Sequence, residues 1–87
     1  MTIINIKNNS DNSLITLDLR LKEIRVYKKF LTIPLSNNDI EGYEYILNQV
    51  KEFNNNDLML DLIFKCIKSD LKDYGYKVKK KDLEVLK

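Results

Sequence analysis

Histidine is absent from this 87-residue chain, and cysteine occurs only once, at Cys66. Without histidine there can be no Ser-His or Cys-His catalytic pair, and the usual general base near neutral pH is missing. A single cysteine excludes an intramolecular disulfide, and a zinc site would have to rely almost wholly on carboxylates. The two glycines are isolated, so no glycine-rich phosphate loop can form. We therefore expect a protein that is not an enzyme and that uses no metal, cofactor or small-molecule substrate.

Long apolar segments are also missing. No run approaches the length of about 18 residues that a membrane-spanning helix needs. The first seven residues lack the charged start and apolar segment of a signal peptide. These features, with the lone thiol, favour a soluble cytoplasmic protein without membrane association. We expect one domain over residues 1–87, too short to be more than marginally stable alone, and therefore a homo-oligomer.

The net charge of +2 hides a strong segregation along the chain. Residues 1–36 carry +3, residues 37–63 carry −5 and residues 64–87 carry +4. This division suggests an oriented molecule with one face toward a polyanion. The alternative is that the 13 lysines reflect the base composition of the gene and cover solvated faces.

The first third of the chain has the pattern of β-strands. Residues 2–7 are rich in β-branched side chains, and residues 8–12 form a turn cluster of Asn, Asp and Ser. Residues 14–21 alternate apolar and polar side chains, and the alternation resumes at Ile24 after a slip near Lys22. We assign residues 1–27 to an N-terminal β extension. A further strand over 28–36 contains Pro34, which cannot donate to a sheet ladder, so this strand is expected at an edge or in a short ribbon.

Two helices follow this strand. The first is predicted from a cap at Ser36 or the following asparagines to Phe53, with apolar residues at helical spacing. The second is predicted from Asp57 to about Tyr74, with Gly75 as its C-terminal cap. Apolar residues cover well over half of its circumference, including Cys66, which we expect to be a buried packing residue. Because so small a monomer has little to cover such a helix, we expect a second subunit to do so. Residues 75–87 form a basic tail with a short strand or helix at its end.

The stretch 28–36 resembles the strand of the ribbon-helix-helix DNA-binding repressors of the Arc and MetJ type, in which a basic residue precedes apolar-polar alternation. The sequence Leu62-Ile63-Phe64-Lys65-Cys66-Ile67 resembles the core of that family's second helix. The resemblance covers residues 28–74. It implies an α+β fold in which N-terminal strands or a hairpin precede two helices in a ribbon-helix-helix arrangement, with a short C-terminal element.

The resemblance also implies a homodimer whose paired strands enter the major groove of DNA. The DNA-binding residues would then be Lys28, Lys29, Phe30, Thr32, Pro34, Asn55, Asn56, Lys79, Lys80 and Lys81. The dimer interface would be formed by Leu31, Ile33, Leu35, Leu60, Ile63, Phe64 and Ile67. The implied function is that of a small dimeric DNA-binding regulator, such as a transcriptional repressor or a plasmid or phage accessory factor.

A second hypothesis is a non-enzymatic accessory protein that binds another protein, such as a phage inhibitor of a host defence system or an assembly chaperone. Its basis is the extra strand region and a set of aromatic side chains, a residue class enriched at protein interfaces. These aromatic residues are Tyr27, Phe30, Tyr43, Tyr45, Tyr74 and Tyr76. The sequence leaves both hypotheses open.

Overall fold

The computed structural model describes the backbone of residues 3–52 and 56–86, and the side chains of all of these except residues 50–52 and 56–59. Its elements follow one another as β1 (Ile3–Asn8), β2 (Ser13–Asp18), β3 (Glu23–Val26), β4 (Leu31–Pro34), α1 (Asn37–Glu52), α2 (Asn56–Lys72) and β5 (Leu83–Val85). Single turns of 3-10 helix, Tyr27–Lys29 and Lys80–Asp82, precede β4 and β5.

All five strands form one antiparallel sheet in the order β4-β3-β2-β1-β5. The register aligns one apolar residue from each strand in a single row across the sheet. This row consists of Leu31, Val26, Ile15, Ile6 and Val85. Directly paired side chains on one face of a sheet pack against each other, so the row provides a continuous apolar surface for the helices.

The core lies between this face and the two helices. From α2, Ile63, Ile67 and Leu71 are fully buried, at the four-residue spacing that places them on one side of the helix. From α1, Tyr43 and Leu47 are buried in the same cluster. Burial of apolar surface, at about 25 cal/mol per Å², is therefore the main stabilising contribution in this fold.

The ends of the helices are fixed by local hydrogen bonds. The Asp39 amide donates to the Ser36 Oγ at 3.1 Å, while the Ser36 amide donates to the Asp39 carboxylate at 3.4 Å, a reciprocal capping box. Beyond α2, Gly75 has φ of +84°, and the Tyr76 amide donates to the Leu71 carbonyl at 3.1 Å. A left-handed residue at this position is a common helix terminus, so the predicted role of Gly75 is confirmed.

The ribbon-helix-helix prediction of the fold class is wrong. That fold has one strand per chain, which pairs with the same strand of a second chain, whereas β4 here pairs with β3 of its own chain. The strands β1 to β3, interpreted from the sequence as an extension, form the middle of a five-stranded sheet together with β4 and β5.

Six of the seven residues predicted to form a dimer interface, all except Leu60, belong to the core of the single chain or pack against it. Ile33, Leu35, Ile63 and Ile67 are buried in it. Leu31, Leu60 and Phe64 are partly buried. The expectation of a dimer assumed that nothing else could cover α2. The chain itself buries Ile63, Ile67 and Leu71, while Leu62 stays exposed, and the homodimer remains a prediction. In the described part of the chain, neither helix has the length and apolarity to cross a bilayer.

Candidate functional site

The segment Tyr27–Phe30, which we call the aromatic loop, connects β3 to β4. Its first three residues form a turn of 3-10 helix, and the Phe30 amide donates to the Tyr27 carbonyl at 3.3 Å. The side chain of Phe30 is 98% exposed and that of Tyr27 is 48% exposed. The loop therefore presents a large apolar group to solvent without contact to the core.

The backbone of Phe30 is in the left-handed region, with φ of 51° and ψ of 39°. Residues other than glycine, asparagine and aspartate seldom adopt this conformation, because Cβ approaches the carbonyl oxygen, at a cost of about 1–2 kcal/mol. Because the ring is exposed, burial of its apolar surface does not offset this conformational cost. Folding alone therefore gives no reason for phenylalanine at this position, whereas a binding role does.

The base of the aromatic loop is held by the turn between β1 and β2. Lys28 Nζ donates to the main-chain carbonyl of Asp11 at 3.2 Å. Lys29 Nζ lies 3.8 Å from the Asp11 carboxylate and 5.8 Å from the centre of the Tyr76 ring. On the other side, the Arg25 guanidinium bonds Glu23 at 2.7 Å and lies 5.9 Å from the centre of the Tyr27 ring. These contacts position Phe30 on a supported turn.

A polar network behind the loop keeps Asp11 ionised. Burial alone would raise the pKa of the Asp11 carboxyl, but hydrogen bonds from the Ser13 amide and the Tyr76 hydroxyl, together with the charge of Lys29, lower it overall. The Tyr76 hydroxyl donates to Asp11 at 2.8 Å and accepts from the Asn8 amide group at 2.9 Å. The Asp11 carboxylate thus remains negative at neutral pH and attracts Lys29.

A shallow cavity of about 290 Å³ lies beside the aromatic loop. Arg25, Tyr27, Phe30, Leu31 and Thr32 are among the residues that line it. Its wall combines two aromatic rings, two aliphatic side chains and polar groups, the composition that a protein partner can use for packing and orientation.

Searches against family models, curated proteins and solved structures find no match to this chain. The family resemblance gains no support from these comparisons, and the fold expected from it is absent.

The described members of the predicted DNA-binding set belong to three parts of the fold: β4, the aromatic loop and the C-terminal segment. Thr32 and Pro34 are exposed on the sheet face that carries no helix, in register with Arg25 and Glu23 of β3. Lys28, Lys29 and Phe30 belong to the aromatic loop. Lys79 and Lys81 are exposed in the C-terminal segment, where Lys80 pairs with Asp61 at 3.1 Å. Asn55 and the side chain of Asn56 lie outside the described residues.

Of the six aromatic residues on which the second hypothesis drew, four are exposed: Tyr27, Phe30, Tyr45 and Tyr74. Tyr43 is buried and Tyr76 is partly buried. The sequence did not distinguish Phe30 within this set, because its position in residues 28–36 suggested a strand. Residues 27–30 contain no Gly, Pro, Asn, Asp or Ser, so the sequence carries no signal for this turn.

A second cavity, of about 250 Å³, lies between α1 and α2 and is lined in part by Gly42, Tyr43, Cys66 and Asp70. The Tyr43 hydroxyl donates to the Asp70 carboxylate at 2.5 Å. Partial burial of the sulfur atom beside this cavity, reinforced by the negative charge of Asp70, raises the pKa of the Cys66 thiol. A raised pKa lowers the fraction of thiolate, which is the nucleophilic form, so these surroundings do not activate Cys66. Cys66 is exposed rather than buried, so its predicted packing role is wrong, and its surroundings give no catalytic one.

Proposed function

We propose that this protein is a non-enzymatic accessory protein that binds another protein through the aromatic loop. The observation that carries the proposal is the full exposure of Phe30 in a left-handed backbone conformation. Aromatic residues dominate the binding energy of protein interfaces because one ring buries much surface with few rotatable bonds. A ring already held outward by a supported turn loses little further freedom on binding.

The chemistry of the loop defines the partner. Phe30 and Tyr27 require an apolar recess, into which the Phe30 ring inserts. In the described part of the chain, Lys28 contacts a main-chain carbonyl and no carboxylate, so no acidic side chain there is paired with it at the rim of the site. The partner therefore has an apolar pocket with an acidic side chain at its edge, since charges at a rim contribute mainly to orientation and association rate.

This proposal selects the second of the two functions expected from the sequence. The operator-binding regulator required a two-stranded ribbon from two chains, and β4 is instead the edge of an intramolecular sheet. Docking through Phe30 requires one copy of the chain. The free thiol of Cys66 supports a reducing compartment such as the cytoplasm as its setting.

Site-specific photocrosslinking tests the proposal. The benzophenone analogue of phenylalanine is placed at position 30, and as a control at Tyr45, which is 67% exposed on α1. After nuclease treatment of a host lysate, irradiation should give one crosslinked protein from position 30 and none of that species from position 45. Equal crosslinking from both positions, or from neither, contradicts the proposal.

A matched pair of variants measures the contribution of the ring once that protein is purified. Phe30→Ser should weaken binding by about 2 kcal/mol or more, the range of an interface hot spot. Tyr45→Ser should leave binding unchanged. If the species crosslinked from position 30 is a second copy of this chain, and Phe30→Ser abolishes a dimer in light scattering, the loop is a self-association site and the proposed function is wrong.

A further inference from the structure

Four lysines converge on one cleft at the C-terminal end of α2. Lys68 and Lys72 project from the helix, and Lys77 and Lys79 from the segment that returns after Gly75. All four are exposed, and the cleft, about 300 Å³ in volume, is lined by them and by Val78, which is buried. We call these four residues and Val78 the lysine cleft.

The lysine cleft is not neutralised by the protein itself. In residues 3–49 and 60–86, whose side chains are described, none of its four lysines has a carboxylate oxygen within 4.0 Å. The neighbouring Lys80 does pair with a carboxylate, that of Asp61, at 3.1 Å. Four like charges around one recess repel one another, and a bound anion removes this repulsion.

The spacing of the lysines suits a ligand with regularly repeated negative charges. Four residues of α-helix advance by about 6 Å, which separates Lys68 from Lys72 along α2. Lys77 and Lys79 are two positions apart, and the backbone of Lys79 is extended, with φ of −113° and ψ of 134°. Two residues of fully extended chain advance by about 6.6 Å. Both distances are similar to the separation of consecutive phosphates along one strand of nucleic acid.

We propose that the lysine cleft binds consecutive phosphates of a nucleic-acid strand. Among the residues that the structure describes, lysines and a valine line the cleft, and with all four ammonium groups directed to phosphates none of these side chains is left to read base edges. Phosphate contacts fix position but carry no sequence information. The binding is therefore independent of sequence, and it does not involve the aromatic loop.

The cleft was only partly visible in the sequence. Lys79 was predicted to contact DNA from a basic tail, but Lys68 and Lys72 were interpreted as part of a helix buried on several sides. The available signal was their four-residue spacing, which places two lysines on one face of α2. Only the return of the chain after Gly75 brings Lys77 and Lys79 beside them.

Fluorescence anisotropy with a labelled single-stranded oligonucleotide of mixed sequence tests the proposal, over about 50–200 mM salt. The logarithm of the association constant should fall linearly with the logarithm of the salt concentration, with a slope of about −3 if four phosphates are neutralised at about −0.7 each. An unrelated oligonucleotide sequence should give the same affinity. Absence of binding at the lowest salt concentration overturns the proposal.

A charge-matched pair of variants locates the site. Lys68→Gln combined with Lys72→Gln should weaken binding at low salt by about tenfold or more and make the slope shallower by about 1.4. Lys7→Gln combined with Lys22→Gln makes the same change in net charge outside the cleft and should leave both values close to wild type. An equal loss of oligonucleotide affinity in both double variants would show that binding depends only on net charge, and it would overturn the proposed location of the site.

Two further measurements are needed. The first distinguishes nucleic-acid phosphate from lipid phosphate, and the second tests whether the lysine cleft acts independently of the aromatic loop. Vesicles containing phosphatidylserine should bind more weakly than the oligonucleotide, and stronger binding to vesicles overturns the choice of ligand. Phe30→Ser should bind the oligonucleotide as wild type does. If Phe30→Ser binds the oligonucleotide more weakly, the aromatic loop is part of the nucleic-acid surface and the independence of the cleft is disproved. If Phe30→Ser loses only its protein partner, the proposal for the lysine cleft stands.

Discussion

The Tyr76 hydroxyl donates a hydrogen bond of 2.8 Å to the Asp11 carboxylate across 65 positions of sequence. Tyr76 follows the last turn of α2, and Asp11 lies in the turn between β1 and β2. Lys29 of the aromatic loop contacts both, with an ion pair to Asp11 and its ammonium over the Tyr76 ring. One carboxylate therefore links the N-terminal hairpin, the C-terminal segment and the base of the aromatic loop.

Replacement of Asp11 by asparagine should change how stability depends on pH. A carboxyl whose pKa is lower in the folded than in the unfolded state contributes stability above the unfolded value, about 3.9. That contribution is lost as the pH falls through the folded-state pKa. The free energy of unfolding of wild type should therefore exceed that of Asp11→Asn at pH 7 by about 1–2 kcal/mol, and the difference should decrease below about pH 4.

Urea denaturation at a series of pH values measures this difference. Asp73→Asn, a change at an exposed aspartate beyond α2, is the control and should follow the wild-type curve. A constant difference between wild type and Asp11→Asn from pH 7 down to pH 2.5 would show that the Asp11 charge does not stabilise the fold.

The exchange Phe30→Asn should not destabilise the protein. Asparagine tolerates the left-handed conformation better than phenylalanine, and the exposed ring contributes no burial. We expect the free energy of unfolding to stay level or rise by about 0.5–1 kcal/mol. Phe64→Asn, at a ring packed against the core, should lower it clearly in the same denaturation experiment. A loss of stability in Phe30→Asn comparable with that control would mean that Phe30 has a folding role.

Shortening Ile67 to alanine should weaken the core of a single chain. Its side chain is fully buried, so we expect a loss of about 2–5 kcal/mol in the free energy of unfolding. Leu62→Ala, on the exposed side of α2, should cost far less. If Ile67 instead formed a dimer interface, the denaturation midpoint of wild type would rise with protein concentration. We expect a midpoint that is independent of concentration.

The reactivity of Cys66 should increase when Asp70 loses its charge. Burial and then the negative charge of Asp70 raise the pKa of the thiol, which lowers the fraction of reactive thiolate. The rate of modification by a disulfide reagent at pH 8 should therefore be higher in Asp70→Asn than in wild type. Asp61→Asn, on the same helix and paired with Lys80, serves as control and should react at the wild-type rate. An unchanged rate in Asp70→Asn would contradict the electrostatic coupling.

Sequence patterns were sufficient to predict those features of the fold that depend on residues close together in the chain. The predicted limits of both helices lie close to those observed, because the Ser36 cap and the Gly75 terminus act within one turn. Such patterns failed at Leu21. Alternation predicted a strand through this residue, but the Asp18 carboxylate accepts hydrogen bonds from the amides of Arg20 and Leu21 and ends β2. Leu19 is therefore buried while Leu21 is exposed.

The sequence by itself determined that this chain supplies no histidine for catalysis, where the helices lie and that α2 has an apolar side to bury. Only the tertiary structure decided that β4 joins β3, that β5 pairs with β1 and that this sheet supplies the cover for α2. It also decided that Phe30 is exposed and that Lys68 and Lys77 share a cleft. The reason is physical: caps and turns depend on contacts over a few residues, whereas strand order and the grouping of distant side chains depend on which packing buries the most apolar surface.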